Sequence, residues 1–322
     1  MKTTRSLITA SVTSILPPLN ANLLSVCLLT LLLNLSAAHG LPAITIQSFP
    51  VVGPNPSGMA FDGTNIWVTS LANDIVTELR ASDGSLVGTF SGGGTITGFA
   101  VFDGTYIWLT NPLDNTVTRL LASDGSLQGT FPTGAYPTGI LFDGTNIWVA
   151  NQFSDNVTKL LASDGSLLGT FRTTGRAVDL AFDGANIWVT IASGPNVNKL
   201  RASDGQLLGA FPVGQNSTGI AFDGAAIWVA SYEANTVTKL RSSDGRVLGT
   251  QRVGHRPLGV MFDGASIWVA NSGDDNVMRL RDSNAVIQNT IAVGDYPQAF
   301  LFDGANIWVS NWASNTVNKI SR

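Results

Sequence analysis

Glutamate and lysine are almost missing from this chain. Two Glu (Glu78, Glu233) and five Lys occur in 322 residues, and charged residues make up 12% of it, about half the usual share. These side chains usually cover helix surfaces, so a largely helical protein is excluded. Cysteine is nearly absent as well: Cys27 stands alone inside an N-terminal apolar stretch, which leaves the body of the chain without disulfides or thiolate chemistry. Histidine is limited to His39 and His255, so few general bases or metal ligands are available. A basic surplus is lacking too. The net charge is −4, and with Lys2 and Arg5 set aside 16 basic side chains face 22 acidic ones. Nucleic acid, which needs a concentrated basic surface, is not expected as a partner.

What replaces those residues is Ser, Thr, Asn, Asp and 34 Gly, together with Ile, Val, Phe and Trp. That mixture suits strands and tight turns, and 44% hydrophobic residues supply a large core. The composition is that of an all-β protein.

The first 40 residues have the parts of a secretory leader. Lys2 and Arg5 give a basic start, Leu23 to Leu35 is an almost unbroken apolar run of 13, and Ser36-Ala37-Ala38 offers small residues for cleavage. The run falls short of the roughly 20 residues that span a bilayer as a helix. Cleavage is therefore the expected outcome, with an uncleaved membrane anchor as the alternative. A secreted or periplasmic protein follows, or a cell-surface one if the leader stays. Cys27 reads as apolar filler, because the apolar stretch runs on past it.

The rest repeats. Trp recurs at 67, 108, 148, 188, 228, 268 and 308, spaced by 41 once and by 40 five times. Thr138-Gly-Ile-Leu-Phe-Asp-Gly, Asn146-Ile-Trp-Val-Ala-Asn, Asn156-Val-Thr-Lys-Leu-Leu and Ser166-Leu-Leu-Gly-Thr-Phe make up the third unit. These are four short runs rich in β-branched and apolar residues, with Asp143-Gly144 and Asp164-Gly165 marking turns that tolerate positive φ. Four antiparallel strands per repeat, seven times, predict a single seven-bladed β-propeller over residues 41–322. The last unit lacks a fourth strand, while Ala43–Phe49 matches one. The N-terminal strand is therefore expected to complete the last blade and close the ring.

Each repeated residue has a structural reading. The Trp, once per blade in the second strand, fills the wedge between neighbouring blades. Asp62, Asp103, Asp143, Asp183, Asp223, Asp263 and Asp303 of Phe-Asp-Gly would ring one channel mouth, yet Asp before Gly is first a turn residue that accepts its own backbone N–H groups. Basic residues of the third strands, Lys159 and Lys199 among them, read as an outer solvated face.

Function is expected where the units differ. On one face the loops are uniform Asp-Gly turns. The opposite face is built from the loops between strands two and three and from strand four to the next blade, and these vary. Loops on a rigid scaffold commonly carry binding residues. The ligand-binding candidates are Tyr136, Phe153, Arg176, Asp179, Tyr232, Arg256, Tyr296 and Trp312. Asp179 replaces a Gly found at 58, 98, 139, 219 and 259; its carboxylate either recognises a cationic ligand or pairs with Arg176. His255 and Glu233 are the only catalytic candidates, as a general base with its orienter or a shared metal site. The blander reading is a solvated His beside an Arg256–Glu233 ion pair. No phosphate loop, nucleophile elbow or set of metal-spaced ligands occurs.

Phe-Asp-Gly-x-x-Ile-Trp-Val, then Asn-x-Val and Ser-Asp-Gly-x-Leu-x-Gly-Thr-Phe, resembles the bacterial YVTN/NHL-type β-propellers over residues 43–322. More distantly the chain is similar to the streptogramin (virginiamycin B) lyases, magnesium-dependent seven-bladed enzymes that linearise a lactone antibiotic by elimination. That resemblance implies a His following Pro at a first-strand entry. Ser57, Thr138, Leu258 and Gln298 stand there instead. It also implies a Glu after the second-strand Trp, where Ser70, Asn111, Asn151, Ile191, Ser231, Asn271 and Asn311 stand. His255 is three positions out of register. The expectation is a binding or scaffold module, monomeric and without cofactor, for a protein, glycan or small ligand. The alternative is a lyase, which alone would call for magnesium.

Overall fold

The computed structural model describes residues 44–321; the leader reading, including Cys27, falls outside the described residues. Among them lie 28 strands in seven four-stranded antiparallel sheets, and no helix. The innermost strands contact one another in chain order, and the first meets the last. Six blades are continuous in sequence. The seventh joins Pro297–Phe302, Ile307–Asn311 and Thr316–Ser321 to the N-terminal strand Thr45–Pro50, with Phe49 opposite Val317. The N-terminal strand supplies the fourth strand that the last unit lacks, and the ring closes.

Blade 3 shows how the repeat builds a blade. Asp143 Oδ1 accepts the backbone N–H groups of Thr145 (3.0 Å) and Asn146 (2.7 Å). Its Oδ2 accepts the Trp148 indole N–H at 2.7 Å. The indole bond recurs in all seven blades at 2.7–2.8 Å. The carboxylates are thus committed to the turn and to the core Trp, and the second role was not visible in the repeat. For Asp143, Asp183, Asp223 and Asp303 burial opposes ionisation, but the indole and backbone donors, joined by an Asn amide at Asp143, Asp183 and Asp303 and by the Lys239 charge at Asp223, outweigh it and hold each carboxyl below its ordinary value.

The pinned Trp packs against the following blade. Trp148 shares a buried cluster with Ile187, Val189 and Leu200 of blade 4, and Trp308 one with Ile66 and Leu79 of blade 1. A fourth-strand Phe covers the ring in several blades, as Phe90 does over Trp67 (5.1 Å) and Phe171 over Trp148 (5.7 Å). Phe49 does the same for Trp308 at 5.7 Å, so the N-terminal strand supplies a core residue as well as an edge.

One expectation is corrected here. Lys159, Lys199 and Lys319 are not on a solvated face but 6–8% exposed. Each ammonium lies 4.8–5.4 Å from the indole centroid of its own blade and donates to carbonyls of the next blade's outer turn, as Lys159 does to Ala202 O at 2.8 Å. Cation–π contact and carbonyl bonding replace hydration. The exposed basic residues of these strands are those at the strand ends, Arg80, Arg201, Arg241 and Arg281.

The inner strands approach so closely that only Gly fits at their third position. A Cβ at Gly139 would lie 2.6 Å from Val178 O, and one at Gly219 2.2 Å from Leu258 O. Asp179 and Ala299 are the exceptions in this ring of positions.

Candidate functional site

The variable loops gather into two aromatic groups around one mouth of the central channel. Tyr136 stacks on Phe153 at 4.5 Å between centroids, and the Arg176 guanidinium lies 5.6 Å from the Phe153 ring. In the other group Arg256 sits 5.9 Å from the Tyr232 ring, and Tyr296 is tilted on Trp312 at 5.5 Å. Burial pushes the Tyr296 hydroxyl above its ordinary pKa, and its hydrogen bond with Tyr232 adds to this, while nearby Arg256 acts in the opposite direction. Seven of the eight predicted ligand-binding residues therefore fall into these two groups.

Their placement depends on strained backbone. Tyr136, Arg256 and Tyr296 have φ of 55°, 52° and 57°, a left-handed conformation costing roughly 1–2 kcal/mol for a residue with a Cβ. Each precedes a proline. The N–H of each donates at 2.9 Å to a side-chain oxygen of the neighbouring loop: Asn115, Asn235 and Asp275 respectively. These clamps lock three large side chains where a Gly or Asn would be expected, and stored strain of this kind clusters at functional sites.

Inside the mouth lies a cavity of about 320 Å³ running down the channel between the inner strands. Its wall is mainly apolar, with Met59, Phe99, Leu258 and Phe300, and Tyr136 reaches it from the rim. Asp179, the eighth candidate, lines it. Its Oδ1 accepts Leu180 N–H at 2.8 Å and its Oδ2 accepts Ile220 N–H at 3.4 Å. No cation pairs with it, because Arg176 packs on Phe153 instead; the ion pair between them is not formed. Burial pushes the carboxyl up to about 6, against the pull of the Leu180 and Ile220 N–H groups. Gln298, from blade 7, lines the same cavity with a buried Oε1 that has no hydrogen-bond partner. The hydroxyls of Thr138 and Thr218 donate to backbone carbonyls. The cavity therefore presents a carboxylate without a counter-cation and an amide oxygen without a donor.

The catalytic candidates separate. His255 Nδ1 is 2.7 Å from Asp274 Oδ1, and Asp274 Oδ2 also accepts His255 N–H. Those two bonds hold the Asp274 carboxyl below its ordinary value. Glu233 shares a shallow surface depression with His255 but bonds neither to it nor to Arg256. The predicted Arg256–Glu233 pair is absent because the guanidinium lies on Tyr232. The His255 side chain is 68% exposed. Among the described residues no three His, Cys, Asp or Glu gather to hold a metal.

Reading the sequence missed Gln298, Asp274 and the loop clamps. For Gln298 one signal existed, since Ser57, Thr138 and Thr218 occupy its place in other blades. The single 41-residue spacing was another: the extra residue falls in the blade 2 inner strand, which shortens to Ala100–Phe102 and places Phe99 in the cavity wall.

The fold and the channel mouth define a seven-bladed β-propeller with one variable, aromatic-rich face. No protein-family model matches the chain, and no curated protein matches it by sequence. Among solved structures it is similar to a streptogramin B lyase, with a TM-score of 0.74 and 18% identity over 86% of this chain and 97% of the other. It is also similar to Kuenenia stuttgartiensis hydrazine synthase, with a TM-score of 0.75 and 15% identity over 85% of this chain and 97% of that one. At these identities the likeness is one of fold, which hosts unrelated chemistries.

Proposed function

We propose that this propeller is a binding module for a small organic cation carrying an apolar or aromatic portion. The observation that carries the reading is a buried Asp179 carboxylate with no ion-pair partner beside the unpartnered Gln298 Oε1, in one largely apolar cavity. A buried carboxylate without a cation is costly, and a ligand ammonium or guanidinium would supply both the charge and the donors. Tyr136 and Phe153 at the rim offer ring faces to the rest of the ligand. The same reading has the 1–40 leader deliver a monomer outside the cytoplasm, which N-terminal sequencing of the purified protein tests.

The test is calorimetric titration with 2-phenylethylamine and its neutral analogue 2-phenylethanol. The amine is expected to bind and the alcohol to bind at least tenfold more weakly. Asp179→Asn should abolish that preference, and Tyr136→Ala should weaken both ligands without lowering the unfolding temperature by more than about 2 °C, as expected for a rim residue. Equal binding of amine and alcohol would overturn the reading. The lyase alternative has one feature in its favour, the His255–Asp274 pair. Magnesium-dependent opening of a lactone antibiotic that is lost in His255→Ala would establish it in place of the binding module.

A further inference from the structure

The seven blades make the same junction seven times, and one of them is built with the opposite charge. In every blade the third-strand residue directly across from the core Trp faces the next blade. Six of these are cationic: Arg119, Lys159, Lys199, Lys239, Arg279 and Lys319. The seventh, opposite Trp67, is Glu78.

At five junctions the cation reaches the carbonyls of the next blade's outer turn. Lys319 Nζ donates to Ala81 O (2.7 Å) and Ser82 O (2.8 Å), and Lys199 Nζ to Ser242 O (2.6 Å) and Ser243 O (3.3 Å). Arg119 contacts Ala162 O and Ser163 O at 3.2 and 3.1 Å, and Lys159 and Lys239 reach one carbonyl each. Lys239 Nζ also lies 3.5 Å from Asp223 Oδ2, the oxygen that holds the Trp228 indole. The molecule thus displays a recurrent cation site of one or two turn carbonyls and a Trp face, with the Phe-Asp-Gly carboxylate beside it at Lys239.

At the blade 1–2 junction the corresponding groups are Ala122 O, Ser123 O, Asp62 and Trp67. No hydrogen bond reaches either carbonyl among the described residues. Glu78 is 6% exposed, and its Oε1 accepts the Asn65 amide at 2.7 Å. Glu78, Asp62, Ala122 and Ser123 all line one depression of about 720 Å³ between the two blades. Two neighbouring carboxylates and two carbonyls without a hydrogen-bond donor make this depression a place that favours a positive charge.

We infer that the blade 1–2 junction binds a calcium ion, held by Glu78, Asp62 and the carbonyls of Ala122 and Ser123 in the place that a lysine ammonium takes at other junctions. Only two carboxylates contribute, with the remaining oxygens coming from the backbone and water. An irregular, carbonyl-rich oxygen set suits Ca²⁺ better than Mg²⁺, which demands a near-octahedral shell. The site lies on the uniform-turn face, away from the variable loops and independent of the ligand reading above.

The test is the unfolding temperature of the full chain at pH 7, first in EDTA and then with CaCl₂, MgCl₂ or NaCl at matched ionic strength. Calcium at about 100 times its dissociation constant should raise the midpoint by about 5 °C, and magnesium by less. Isothermal titration should give one site. Glu78→Gln, which mimics the protonated side chain, should lose both responses. Glu78→Lys should restore the repeated junction, so that its midpoint in EDTA reaches or exceeds that of the calcium-loaded parent and no longer responds to calcium. No calcium shift in the parent, or a shift that survives in Glu78→Gln, would overturn the site.

Discussion

Replacing Asp143 tests whether the Phe-Asp-Gly carboxylate is a core element or a turn residue only. Both of its oxygens act as acceptors, Oδ1 for two backbone N–H groups and Oδ2 for the Trp148 indole. Asparagine brings one oxygen and one NH₂, so either the indole or the turn must face a donor. Trp148 is fully buried, and an indole N–H left there without an acceptor costs about 1–3 kcal/mol. Thr145 N–H is exposed and turns to water, while Asn146 N–H is half-buried and loses part of its bond. The sum is about 2–4 kcal/mol for Asp143→Asn and no less for Asp143→Ala. For a domain of this size that corresponds to roughly 4–8 °C in midpoint. Asp164→Ala is the control, since its carboxylate bonds within its own exposed turn, to Ser166, and it should stay within about 0.5 kcal/mol of the parent. Urea and thermal unfolding followed by Trp fluorescence measure all three. The pH dependence has a definite sign. The folded Asp143 carboxyl titrates below its ordinary 3.8, so its stabilisation is complete above that value and is lost as pH falls through the lower folded one. Asp143→Ala should lack that part of the acid loss. An Asp143→Asn protein within 0.5 kcal/mol of the parent would refute the two-oxygen argument.

Two further outcomes follow from the geometry. Asp179 has the opposite pH signature: with its folded pKa raised to about 6, the native state holds more protons than the unfolded chain between about 4 and 6, so stability falls as pH rises through that window. Midpoints from pH 4 to 7 should slope downward in the parent and flatten in Asp179→Asn; an unchanged slope would remove Asp179 as its source. Phe49→Ala takes a half-buried ring from Trp308 in the closing blade, and should cost about 2 kcal/mol, below the 3–5 of a fully buried Phe. Limited proteolysis should then release the N-terminal strand first, and equal resistance to cleavage would argue against the N-terminal strand as the latch.

How much was legible in the sequence depends on whether a property repeats. Seven Trp at near-equal spacing, Asp-Gly at the turns and a missing last strand specify the blade count, the strand count and the closure. Period, turn chemistry and an unpaired edge are local properties that any single repeat carries. The variable loops and their eight binding candidates were legible for the same reason, as departures from a known period. What each departure does was not. Arg176 and Asp179 are three residues apart, yet one lies on Phe153 and the other faces the channel. His255 finds Asp274 rather than Glu233. Lys159 and Glu78 occupy the same register position, but only the neighbouring blade reveals that this position faces the carbonyls of an outer turn. Partners supplied by another blade lie about 40 residues away in the chain, and their geometry exists only once the ring has closed. The sequence by itself determined the repeating frame, because that frame is made of local signals. Tertiary structure alone decided which side chains meet across the blades, because burial, charge pairing and backbone strain are set by neighbours that the period brings together.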